Sequence, residues 1–236
     1  MAIQSRTQES VWSLPLNREV IEHQHFLFDL DGTLIDSSAL HARAYQAVID
    51  REVPQHSEAF DYDKVTGKTT LEVFTQMVDG DSDLGRELTT QKQALYRQLV
   101  NDGELEAMPG ALELLELLKN LQKGVQLVTS SSRKSVEVAL KSTKLDQFLD
   151  QLVTADDVKH GKPAPDCYQL AMRNVNASSE KCIVFEDALA GIRSAQAAGL
   201  AVVGVFNPDI KTVTNYWFED LLTLKSQIQN TMSVRP

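Results

Sequence analysis

Apolar positions along the chain fall into two kinds of run. Short ones, at 26–28, 125–128, 152–153, 183–185 and 201–205, have the length of strands buried on both faces of a parallel sheet. Between them, apolar residues recur at helical spacing over 111–121, 136–143, 167–173 and 188–198, the last closing at Gly199. In the first of these Leu112, Leu115 and Leu118 lie in one broad stripe. Strand and helix in alternation predict an α/β fold, a doubly wound parallel sheet with helices on both faces. The run at 201–205 reads as the last core strand, and 215–229 as a final covering helix.

One stretch breaks the alternation. After the first strand, placed at 25–30, the pattern stays helical until Pro109-Gly110 punctuates it. Ala39, Tyr45, Val48 and Ile49 mark one helix, ended by Pro54. Leu71, Val73, Phe74, Met77 and Val78 mark a second, starting near Thr69, and Leu88, Leu95, Leu99 and Val100 a third. No convincing strand is visible here. The chain thus divides into a core, residues 1–36 and 109–236, and a helical insert, residues 37–108. Asp79 to Asp83 reads as an exposed turn, because glycine misses the sixth position of a calcium loop and no Glu closes it. Residues 1–23 are polar and mixed; Trp12, Leu14 and Leu16 are candidate anchors, with no function assigned.

The 236 residues carry a net charge of −10 and no long basic run, which argues against nucleic acid as a partner. No apolar stretch reaches the ~20 residues of a membrane span. The N-terminus lacks an apolar signal core, and Cys167 and Cys182 form neither a disulfide nor a metal pattern. A cytoplasmic monomer with reduced thiols is expected.

The chemistry-bearing residues stand at strand ends. Asp29 and Asp31 follow the first strand, one residue apart, with Gly32 free to turn the chain; alone, the pair reads sooner as a solvated acidic turn than as a site. Thr129, Ser130, Ser131 and Ser132 follow the second, where hydroxyls and amides can cradle phosphate oxygens or cap the next helix. Lys162 sits between Gly161 and Pro163 just before a helix, a surface charge unless something uses it. Glu186 and Asp187 end the strand at 183–185, as metal ligands or as acids favourable at a helix N-terminus. Thr66-Gly67-Lys68-Thr69-Thr70 is no P-loop, because Tyr62 stands where the first glycine belongs.

Asp29-Leu30-Asp31-Gly32-Thr33, the Thr129/Ser130 run, Lys162-Pro163-Ala164-Pro165 and Glu186-Asp187 occur in the order of the four motifs of the haloacid dehalogenase-like hydrolase superfamily. The chain resembles its phosphatase and β-phosphoglucomutase-like branch, whose members carry a helical cap. The resemblance implies Asp29 as nucleophile and Asp31, held protonated, as general acid/base. It implies Lys162 pairing with the nucleophile and the phosphoryl group. Ser130 or Thr129 would give the phosphate-binding hydroxyl, Ser131 an amide. Mg²⁺ would be held by Asp29, Asp187, the backbone carbonyl of Asp31, and Glu186 directly or through water. His41 would couple cap closure to proton transfer, and Lys68 would touch the leaving group. Electrostatics agrees: each pair of like unit charges at ~4 Å costs about 4 kcal/mol at an effective dielectric of ~20, so attack by a carboxylate on a phosphate needs cations. The implied activity is Mg²⁺-dependent hydrolysis of small phosphorylated metabolites, sugar phosphates foremost, through an aspartyl phosphate. The alternative is β-phosphoglucomutase-like transfer, which the resemblance weakens: those mutases carry an Arg where Thr70 stands here.

Overall fold

The computed structural model describes residues 18–66 and 68–233; Trp12, Leu14 and Leu16 lie outside them. In chain order the described residues form α1 (Arg18–Glu22), β1 (His25–Phe28), β2 (Ile35–Asp36), α2 (Ser38–Glu52), α3 (Thr70–Met77), α4 (Ser82–Asn101) and β3 (Glu106–Ala107). There follow α5 (Ala111–Asn120), β4 (Gly124–Val128), α6 (Arg133–Thr143), β5 (Gln151–Val153), α7 (Asp166–Asn174), β6 (Cys182–Glu186), α8 (Leu189–Ala197), β7 (Ala201–Val205), β8 (Tyr216–Phe218) and α9 (Leu221–Ser233).

Six strands form one parallel sheet in the order β5-β4-β1-β6-β7-β8. Residues alternate across it. Phe26, Phe28, Val125, Leu127, Ile183 and Phe185 face a core completed by α5, α6 and α9, while Leu27, Val128 and Val184 face one completed by α7 and α8. Coverage on both faces explains why the strands read as apolar runs. β1 lies mid-sheet, and the chain passes from the β4–β5 side to the β6–β8 side, so the crevice at the carboxyl ends of β1, β4 and β6 is the topological switch point. Register then fixes neighbours. Phe28 pairs with Phe185 and their rings stack at 4.4 Å, which sets Asp29 beside Glu186.

The insert builds its own core from Tyr45, Val48, Ile49, Val53, Val73, Phe74 and Leu88. Four details correct the sequence pattern. Residues 37–108 do contain a strand, β3, which pairs antiparallel with β2 (Ile35↔Ala107) and ties the two chain crossings together. Ala39 is exposed, the buried stripe of α2 running through Leu40, His41 and Ala44. β7 is not the last strand: Asn215 pairs with Val202 through both N–H and side-chain amide and starts β8 along an aromatic triplet that suits a pleated edge. The final helix therefore begins at Leu221, not near 215. No helix among the described residues is long and apolar enough to cross a membrane.

Candidate active site

Asp29 follows β1 directly, its N–H bonded to the carbonyl of Phe185 at 3.0 Å, so the strand ladder extends to the residue whose side chain enters the crevice. Gly32, at φ 83°, then turns the chain, and a side chain there would overlap the carboxylate of Asp187. Thr33, buried in the same turn, donates to Asp187 Oδ1 at 3.2 Å. Carboxylate oxygens of Asp29, Glu186 and Asp187 all lie within 4.8 Å of one another.

Lys162 enters this acidic cluster from the loop before α7 and is buried. Its ammonium donates to Asp29 Oδ1 at 2.6 Å, Glu186 Oε1 at 2.6 Å and the carbonyl of Val128 at 2.9 Å. All three N–H groups are thereby engaged. Glu186 Oε1 also accepts from the Tyr168 hydroxyl at 2.7 Å. Room for that carboxylate comes from Gly191 on α8, where a Cβ would stand 1.8 Å from Oε1. Burial pushes the Asp29 carboxyl well up; Lys162 opposes this, while Glu186 and Asp187 add to it. Asp187 is pushed up to about 7 by burial and by Glu186. Burial alone would lower the Lys162 pKa, but Asp29 and Glu186 hold it well above the ordinary lysine value.

Asp31 is held differently. Ser37 occupies the N-cap position of α2, yet its hydroxyl donates to Asp31 Oδ1 at 2.5 Å rather than capping the helix. His41 Nε2 meets the same oxygen at 3.0 Å, and the Ser131 hydroxyl donates to Oδ2 at 2.7 Å. Burial opposes ionisation, but His41 and the two hydroxyls outweigh it and depress the Asp31 pKa. The sequence reading had Asp31 protonated; the three donors instead hold it as a carboxylate.

His41 continues the network into the insert. Its ring stacks on Tyr96 at 4.1 Å, and its Nδ1 lies 2.5 Å from Lys92 Nζ. Lys92 is buried on α4, with Nζ 4.4 Å above the Tyr45 ring, and desolvation lowers its pKa to about 7. Burial and Lys92 lower the His41 pKa while Asp31 opposes them, and the geometry suits Nδ1 accepting from Lys92 with Nε2–H donating to Asp31. Sequence reasoning missed Lys92. Its signal was a charge at the position between Leu88 and Tyr96 in the apolar stripe of α4.

Asp29, Asp31, His41, Lys68, Thr129, Ser130, Ser131, Lys162, Glu186 and Asp187 all line one cavity, together with Lys92 and Tyr62. The cavity, partly open to solvent, has a volume of about 70 Å³, room for a few waters or one phosphoryl-sized group. Lys68 is exposed on its rim, 3.4 Å from Gln76 Oε1. One expectation fails in detail: the Ser131 amide is already bonded to Thr129 Oγ1 at 3.0 Å, so it is not free for an anion in this arrangement. The arrangement can deliver a carboxylate nucleophile beside an ionised base, in an acidic cluster that one ammonium only partly neutralises.

Comparison with known proteins identifies the family. The family model of haloacid dehalogenase-like hydrolases matches residues 26–205. A validoxylamine A 7'-phosphate phosphatase from Streptomyces hygroscopicus subsp. limoneus is 36% identical over 179 residues, covering 76% of this chain and 84% of that protein. The pyrophosphatase PpaX of Bacillus cereus is 32% identical over 182 residues, covering 76% and 81%. Among solved structures, a β-phosphoglucomutase from Clostridium difficile superposes with a TM-score of 0.75 at 23% identity, covering 90% of this chain and 100% of that one.

Proposed function

The chain belongs to the haloacid dehalogenase-like hydrolase family and is a hydrolase of it; from that premise we propose a divalent-cation-dependent phosphatase of small phosphorylated metabolites, sugar phosphates foremost. The observation that carries this reading is the meeting of Asp29, Lys162, Glu186 and Asp187 at the ends of β1 and β6. The phosphatase names of the two sequence relatives support it.

The residues fit a hard divalent cation. Three carboxylates share a buried site with one ammonium, and the pKa values of Asp29 and Asp187 are raised by burial first and by the neighbouring carboxylates second. An all-oxygen donor set suits Mg²⁺. Asp29, Asp187 and the Asp31 backbone carbonyl would hold it, with Glu186 direct or through water. When bound, it supplies the positive charge that lets an anionic phosphoryl group approach a carboxylate.

Asp29 attacks phosphorus. An Asp29 O–P bond forms, the ester P–O bond breaks, and the leaving oxygen takes a proton from Asp31. For that half the three donors on Asp31 must loosen so that it can carry a proton. In the second half water attacks the phosphorus, its proton goes to Asp31, and the Asp29 O–P bond breaks, freeing phosphate. Asp31 as described is in the form this second half needs. Lys162 holds Asp29 in place and offsets its charge; touching the phosphoryl group as well would require giving up one of its three acceptors. Thr129, Ser130 and Ser131 line the phosphoryl side, with Ser130 or Thr129 giving the hydroxyl. Residues 37–108 act as the cap, closing His41, Lys92, Tyr62 and Lys68 over the leaving group. Mutase chemistry is the weaker reading: no arginine lines the cavity among the described residues, and Thr70 hydrogen-bonds Tyr45.

A phosphate-release screen over phosphorylated metabolites tests this, with Mg²⁺ and then with chelator. Many turnovers on at least one sugar phosphate are expected, lost with chelator and in Asp29→Asn. Undiminished release by that variant, or no release from any compound, overturns the proposal.

A further inference from the structure

Where the insert meets the core, one glycine sits at a contact too close for any side chain. Thr69 caps α3 in a reciprocal box: its Oγ1 accepts from the Glu72 N–H at 3.2 Å, and Glu72 Oε2 accepts from the Thr69 N–H at 2.8 Å and from its hydroxyl at 2.8 Å. The hydroxyl is thus committed to its own helix, and the methyl Cγ2 faces the core. It stands 2.9 Å from where a Cβ on Gly161 would be. Gly161 does not have the left-handed backbone that favours glycine; what it supplies here is space. Its carbonyl accepts from the Ala164 N–H at 3.0 Å, closing the turn that carries Lys162 to Asp29.

We propose that Gly161 and the Thr69 methyl form a docking notch that sets how far the insert descends onto the site, which makes both positioning residues for the reaction. One side of the notch is the turn that aims Lys162. The other is the loop whose Thr66, Lys68 and Thr70 line the cavity. Carbon atoms rest at ~3.5–4.0 Å, so a methyl at 161 lifts that loop by about 1 Å, and a displacement of that size costs up to ~10²-fold in rate. The inference uses the phosphatase reading for its activity measurement only.

The test is a double-mutant cycle of Gly161→Ala and Thr69→Ser, which deletes the methyl and keeps the capping hydroxyl. On a phosphorylated sugar, Gly161→Ala is expected to lower kcat/KM about tenfold or more with Thr69 present, and less than about threefold in the Thr69→Ser background. Hydrogen exchange of the segment 69–77 reads the same cycle without turnover: it rises in Gly161→Ala and returns in the double variant. Equal losses in the two backgrounds, or exchange that Gly161→Ala leaves unchanged, overturn the notch. If no variant and no wild-type sample turns over, the phosphatase reading fails while the exchange cycle still decides the notch.

Discussion

Replacing Lys162 by Met keeps the length and much of the packing of the side chain and deletes its charge. Three hydrogen bonds go with it, to Asp29, Glu186 and Val128. Because the side chain is only 3% exposed, water cannot substitute for the lost partner. Removing one member of a buried ion pair costs ~3–5 kcal/mol, since the other member is left uncompensated. The cost has a pH signature. Burial raises the Asp29 pKa, and Lys162 leads the interactions that oppose it. Without the ammonium that pKa climbs further above its unfolded value. A carboxyl raised in the folded state contributes stability below its unfolded pKa, and that stability is lost as pH rises through the folded one. The loss in Lys162→Met should therefore be largest near pH 8 and shrink toward pH 5, where the carboxylates take up protons. Urea unfolding of both proteins across that range measures it. A loss of equal size at both ends, or one under about 1 kcal/mol at pH 8, would refute the reasoning.

Lys92 has a folded-state pKa of about 7 against 10.5 unfolded, so it makes wild-type stability rise as pH increases from 7 toward 10; in Lys92→Met that slope should vanish in pH-dependent unfolding, with stability at pH 6 gained rather than lost. Gly191→Ala places a Cβ against the Glu186 carboxylate and should cost ~1–3 kcal/mol through overpacking, with kcat falling as Lys162 loses its anchor; a variant with wild-type kcat would contradict the role given to Glu186. Asp31→Asn should lower kcat by ~10²–10⁴, the usual worth of a positioned acid/base, and turnover within about threefold of wild type would remove Asp31 from the reaction.

What the sequence showed and hid follows from where each determinant lies. β1, β4 and β6 were legible because both their faces are buried, which leaves an apolar run in the chain itself. Asp29 and Asp187 could be picked out because each stands at the end of such a run, and Lys162 because Gly161 and Pro163 flank it just before a helix. The charge state of Asp31 could not, because it is set by donors 6, 10 and 100 residues away. Lys92 lies 51 residues from His41, and only its place in an apolar stripe marked it. β3 is two residues long and owes its existence to Ile35 and Asp36 across the ribbon. β8 was absorbed into a helix because three aromatic residues at a sheet edge leave no periodicity to read.

The most direct measurement is chemical quench of the protein during turnover of a phosphate ester with Mg²⁺, followed by mass spectrometry of the peptides. The account predicts one phosphoryl group on the peptide carrying Asp29, labile to hydroxylamine and missing in Asp29→Asn. Steady turnover with that peptide unmodified, or the phosphoryl group on another residue, would contradict it.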